Sequence, residues 1–211
     1  MACTQNSFNH NISAVGYHKY NTPTFILDRY DIGESDAILD AFPRDIGRVR
    51  ATAESVRTMR SKLRYNLRIY TLAEASFIRG KARWRVVGAE EHTNIYQQLA
   101  QSPTKLAAFC SVLGLLRRLF RHGRPNVRLF YILANGAIFL CKYENNEERI
   151  LLIEQLMVLR VLDCLGYLQS RDELHPFVRN IRYSEDLLHS FQDVRRDAVT
   201  AINHALRQMQ V

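Results

Sequence analysis

Side chains able to break or make bonds are thinly spread along this chain. Its seven histidines contain no HExxH pair, the spacing that sets two imidazoles on one helix face for zinc. There is no GxxxxGK[ST] loop to cradle a triphosphate, and no GxGxxG follows a strand-like run. Cys3, Cys110, Cys141 and Cys164 are too widely spaced for a CxxC metal knuckle or a compact disulfide framework. The thiols are therefore expected to be reduced, in a cytoplasmic protein, with the last three serving as small buried hydrophobes. Asp28, Asp31, Glu34, Asp36 and Asp40 have the chemistry of a nuclease-type magnesium site, but strand alternation accounts for several of them as solvent-facing groups. The expectation is binding without catalysis, with no metal and no cofactor.

What the sequence offers in quantity is positive charge. Lys and Arg number 29 against 21 Asp and Glu, a net charge of +8, and the excess is local. Arg44 to Arg85 holds twelve basic residues and only Asp45, Glu54 and Glu74 as acids. Ordinary solvated surfaces mix both signs, whereas a one-sided field marks a polyanion-binding face. The candidate phosphate ligands are Arg48, Arg50, Arg57, Arg60, Lys62, Arg64, Arg68, Lys81, Arg83 and Arg85. Tyr65, lying among them, offers an aromatic face of the kind that stacks a base; Trp84 reads first as core. A second patch, Arg117, Arg118, Arg121, Arg124 and Arg128, lies in a stretch from His92 to Tyr143 without any acid. It reads equally as a second contact surface and as cations complementing the end of a helix.

Thr24 to Tyr30, Asp36 to Phe42, Arg48 to Ala53, Tyr70 to Ile78 and Ala82 to Ala89 are short, rich in β-branched and aromatic residues, and separated by turn residues. Five strands predict a small barrel, with Arg48 and Arg50 outside and Val49 and Ala51 inside. From Ser102-Pro103 the apolar period becomes helical. Helices are expected up to about Phe120, over Val127 to Tyr143 and over Glu147 to Leu165, with one last helix starting at the N-cap Ser184. The fold class is thus α+β: a loose tail over 1–22, a small five-stranded barrel over 23–91 and an all-helical domain over 100–211. The longest nearly apolar run, Leu129 to Cys141, is too short to cross a bilayer as a helix, so no membrane contact is expected.

Several of these motifs occur in an order that resembles one family. Gly33-Glu34-Ser35-Asp36, Phe42, Gly47-Arg48-Val49-Arg50, Arg57, Arg60-Ser61, Leu63 and Leu67 resemble the N-terminal part of RecO, a bacterial DNA repair and recombination mediator. Gly80-Lys81 leading to Val87-Gly88-Ala89-Glu90 is similar to its closing strands, and Leu129-Phe130, Met157 to Leu162 and Leu165-Gly166-Tyr167 resemble its helical half. The resemblance implies an OB-fold followed by helices. It also implies a non-enzymatic, cytoplasmic, nucleoid-associated protein that binds single- and double-stranded DNA and anneals complementary strands. RecR, single-strand-binding protein through its acidic, Phe-ending tail, and indirectly RecA are the implied partners. Departures are visible: Glu54-Ser55 replaces Lys-Gly, Arg68-Ile69 replaces Gln-Pro, and Leu168 to Tyr183 lacks the four-cysteine zinc module of many members, implying a short, zinc-free form. Where some relatives place an arginine for the acidic tail this chain has Glu154-Gln155-Leu156, leaving Arg149 or Arg160 for that role. From the residues alone, an OB-fold RNA-binding module and a protein-interaction adaptor remain alternatives.

Overall fold

The computed structural model describes residues 18–209 except 60, 82, 145 and 170. Most of the expected tail, Cys3 and the candidate ligand Arg60 lie outside the described residues. Strands β1 (Lys19–Ile32), β2 (Asp36–Pro43), β3 (Val49–Ala53), β4 (Thr71–Arg79) and β5 (Trp84–Asn94) close into a barrel in the order β1-β2-β3-β5-β4. Neighbours are antiparallel except β3 and β5, which run parallel. Closure depends on β1, which pairs with β4 through its first half and with β2 through its second, bending at a bulge between Ile26 and Asp28. The strand begins earlier than the expected tail boundary and β5 ends later than residue 91. Thr22 explains the early start, because it is buried and its hydroxyl donates to Asp45 Oδ2 at 2.8 Å.

The barrel interior is filled by Ile26, Leu39, Val49, Phe77 and Val86 together with Ala37, Ala41, Ala51, Ala53 and Ala75. Alternating large and very small side chains is what a narrow barrel requires. Between β3 and β4, the single turn α1 (Leu63–Asn66) packs on β5, with Asn66 Nδ2 donating to the Ala89 carbonyl at 2.7 Å. Val56 and Leu67, on either side of that turn, are fully buried and extend the barrel core.

The second half is helical: α2 (Ile95–Leu99), α3 (Pro103–Leu119), α4 (Val127–Lys142), α5 (Glu147–Cys164), a 3-10 turn (Asp172–Leu174), α6 (His175–Arg179), α7 (Glu185–Asp193) and α8 (Arg195–Gln208). Ser102, Asn126, Asn146 and Ser184 cap α3, α4, α5 and α7, each side chain accepting a backbone N–H three residues on. The last helix, expected as one, breaks at Val194. Both pieces pack on α5, burying Leu188 and Phe191 from α7 and Ala198, Ala201, Ile202 and Ala205 from α8. Arg195 Nε fixes the break by donating to Gln155 Oε1 on α5 at 3.0 Å.

Barrel and helices are not separate globules. Phe25, Leu27 and Phe42, on the strands but outside the barrel interior, belong to the helical core. Phe25 meets Phe130 at 5.4 Å between ring centroids, and Phe42 meets Phe120 at 5.0 Å and Phe130 at 5.7 Å. Such aromatic pairs add about 0.5–1.5 kcal/mol each beyond their buried area. Phe42→Ala should therefore cost about 3–5 kcal/mol and destabilise both halves together. In urea, Trp84 emission from the barrel and far-ultraviolet dichroism from the helices should give one shared midpoint in parent and variant; two separated midpoints would show independent domains.

Candidate nucleic-acid interface

Where the halves meet, the sequence expectation for Arg48 needs correction. Its side chain faces out of the barrel as alternation requires, but that face of β2 and β3 is covered by the α3–α4 connection, and Arg48 is 6% exposed. Nε and Nη2 fork onto Asp40 Oδ1 and Oδ2 at 2.9 and 2.6 Å. Nη1 donates to the carbonyls of Arg117 and Phe120 at 2.6 and 2.7 Å, where α3 ends with unpaired acceptors. Arg48 is thus spent holding the helical half to the barrel and cannot grip a phosphate. Beside it the backbone of Gly123 donates to the Arg48 carbonyl at 3.0 Å. Gly47 has φ +86° and lies so close to the Arg124 carbonyl that a Cβ would stand 2.1 Å from its oxygen.

The second patch divides in the same way. Arg117 Nη2 donates to Asp28 Oδ2 at 2.5 Å and to the Tyr30 hydroxyl oxygen at 3.0 Å. Arg128 Nη2 donates to Asp163 Oδ2 and the Val178 carbonyl at 2.9 and 2.6 Å. Both are structural. Arg118, Arg121 and Arg124 are exposed and have no carboxylate partner among the described residues.

Of the first cluster, Arg50, Lys62, Arg64, Arg68, Lys81 and Arg83 are exposed, again with no carboxylate partner among the described residues. Arg57 and Arg85 are partly engaged, Arg57 with Asp31 at 3.4 Å and the Gly33 carbonyl at 2.7 Å, Arg85 with Glu54 at 2.5 Å. These exposed pairs are worth little and leave both guanidiniums within reach of an anion. The structure does not gather the whole cluster at one point. Arg64 and Arg68 flank the exposed ring of Tyr65 at 5.9 and 5.2 Å, on the turn that packs near Ala89. That is about 16 Å along β5 from Trp84. Tyr70 is structural, packed edge-on against Phe109, and burial pushes its phenol up to about 12.

At the other end of that track β3, the start of β5 and the α3–α4 connection surround an open pocket of about 410 Å³. It is lined by Arg48, Val49, Arg50, Trp84, His122 and Gly123. Each contributing segment carries its ring or apolar group between cations: Val49 between Arg48 and Arg50, Trp84 between Arg83 and Arg85, His122-Gly123 between Arg121 and Arg124. Burial, reinforced by Arg48 and opposed by Asp40 at 3.7 Å, holds the His122 imidazole below its usual range and favours its neutral form. The histidines gave no sequence signal for this placement. Trp84 is partly buried: it packs against the barrel core, as the sequence reading has it, and also lines the pocket wall.

Four of the acids considered for a magnesium site are engaged by cations or hydrogen-bond donors, Arg117 lying within 3.9 Å of Asp40 as well as against Asp28. Asp28 takes Arg117, Asp31 takes Arg29 and Arg57, Asp36 accepts from Ser35 and the Ser55 amide, and Asp40 takes Arg48. Cys110, Cys141 and Cys164 are free and partly buried, with burial raising the thiols of Cys141 and Cys164. Neither arginine considered for an acidic tail is well placed. Arg160 is fully buried, its Nε donating to the Phe177 carbonyl at 2.8 Å and its guanidinium 4.3 Å from the Tyr183 ring centroid. Arg149 shares its pocket with Glu144 and Glu185. Among the described residues no helix is long and apolar enough to cross a membrane.

A closed five-stranded barrel of this topology, with its turn between β3 and β4 and a basic rim, defines an OB-fold protein joined to a helical domain. Residues 18–85 match the family model described as recombination protein O N terminal. The chain is 25% identical over 149 residues to the DNA repair protein RecO of Thermodesulfovibrio yellowstonii, covering 71% of this chain and 58% of that protein. It is 27% identical over 153 residues to that of Rubrobacter xylanophilus, covering 72% and 60%. Over 73 residues it is 36% identical to that of Dehalococcoides mccartyi, covering 35% and 29%. Residues 18–85 thus carry the N-terminal domain of the RecO family, and the longer matches span about three fifths of the length of those curated relatives.

Because Asp40 is 2% exposed, Arg48→Met should leave a buried carboxylate without its fork and cost about 3–5 kcal/mol, whereas adding Asp40→Leu should restore most of that loss. Urea midpoints of the two variants check this. A double variant no more stable than the single one would refute the assignment.

Proposed function

We propose that this protein acts in DNA repair as a non-enzymatic DNA-binding mediator, in the cytoplasm and at the nucleoid. It binds single- and double-stranded DNA through phosphates and anneals complementary strands. With RecR it helps RecA load onto gaps coated by single-strand-binding protein. The observation that carries the reading is the basic character of the barrel–helix joint, where exposed Arg50 lines one pocket and exposed Arg83, Arg121 and Arg124 adjoin its lining residues Trp84, His122 and Gly123 in the chain. The name DNA repair protein RecO, borne by the relatives, supports the biological role.

Annealing needs no fuel in this account. Guanidiniums that neutralise the phosphates of one strand lower the repulsion facing its complement, and released counterions drive the first association. Phosphate contacts do not read sequence, so base specificity is not expected.

Each phosphate contact contributes about −0.7 to the slope of log affinity against log salt for a single strand. Replacing Arg50, Arg121 and Arg124 together by Ala should therefore flatten that slope by about two units and slow annealing of complementary oligonucleotides. Replacing the exposed Arg196 and Arg207 of α8 should change neither. Fluorescence anisotropy at several salt concentrations, with an annealing assay alongside, is the measurement. A slope unmoved by the triple change would remove the rim from the mechanism.

A further inference from the structure

Trp84 is the chain's only tryptophan, and its ring is held from several sides. Tyr20 stands edge-to-face to it at 5.4 Å, Phe77 at 6.5 Å, and the Arg79 guanidinium lies 5.6 Å from its centroid. The indole is nevertheless partly exposed and forms a wall of the pocket at the joint. A braced aromatic ring loses little freedom when something stacks on it, which is the physical advantage of a pre-formed site. His122 adds a second planar group, and Gly123 brings no side chain to fill the space. Phosphate binding alone requires none of these; arginines on a plain surface would suffice.

We propose that this pocket receives one unpaired nucleobase of a single strand, stacked against Trp84 beside His122, with Arg50 at its wall and the exposed arginines that adjoin Trp84 and His122-Gly123 in the chain meeting the flanking phosphates. The assignment rests on the nucleic-acid-binding reading above and gives it a substrate class. At about 410 Å³ the pocket is near the small end of ligand sites, in keeping with a single heterocycle. Bases within a duplex are stacked on their neighbours and reach such a pocket only by flipping out, at a cost of a few kcal/mol. The pocket therefore distinguishes single strands from duplexes, while stacking accepts any base.

Two signals from one titration of the full chain test this: anisotropy of a labelled probe reports binding, and Trp84 emission reports stacking. The probes are a thymidine oligonucleotide, an abasic strand of equal length and charge, and a fully paired duplex closed at its ends by non-nucleotide linkers. All three should bind in a salt-dependent manner, but only the thymidine strand should quench Trp84. It should bind about 5- to 150-fold more tightly than the abasic strand, the range for one base–aromatic stack. His122→Ala, in an exposed connection, should reduce that advantage without affecting the abasic strand, and Trp84→Leu should abolish it. Equal affinity and equal quenching by the thymidine and abasic strands would overturn the base pocket while phosphate binding stands. Absence of binding by every probe would overturn the underlying reading as well.

Discussion

The arrangement depends on one guanidinium. Arg48 sits where β3 begins and meets a carboxylate of β2 and two carbonyls from the end of α3, so a single planar group ties its own strand to two other segments at once. Burying a charge is costly unless it is paired and hydrogen-bonded, and here four contacts meet that requirement. The consequence is positional. The connection carrying Arg121, His122, Gly123 and Arg124 is drawn against the β2–β3 turn, closely enough that Gly47 must lack a side chain.

Arg48 could not hold that geometry alone if the halves moved independently. The phenylalanine cluster between β1, β2 and the helical core supplies the large, undirected attraction, and the fork supplies the direction. Together they bring Arg50 and Trp84 of the barrel against His122 and Gly123 of the α3–α4 connection, around one pocket. Paired bases do not reach such a pocket without flipping, whereas phosphates of either form can meet its rim. A protein built this way would hold a single strand by its backbone and one base, and would lose the base contact as its complement zips past.

The strands were legible because β-branched runs, alternation and turn residues agreed, and the second-half helices because caps and apolar period agreed. Two features were not legible for a definite reason. Alternation places Arg48 outside the barrel, and it is outside; but on β2 and β3 outside means under the α3–α4 connection. The clue was Asp40, a lone acid in the run Ala37 to Phe42, which marks a strand covered on both faces and a carboxylate in need of a cation. The break at Val194 was hidden because the apolar stripe keeps its period across it. His122 gave no motif, since its role comes from what folds beside it.

The most direct test of the central claim is to map where a single strand touches the protein. Photo-crosslinking with a 5-iodouracil oligonucleotide, read by mass spectrometry of the peptides, should yield adducts on the segment holding Trp84 and on the segment holding His122, and fewer when Arg50, Arg121 and Arg124 are replaced. Adducts confined to α7 and α8, with none at the joint between barrel and helices, would contradict the account.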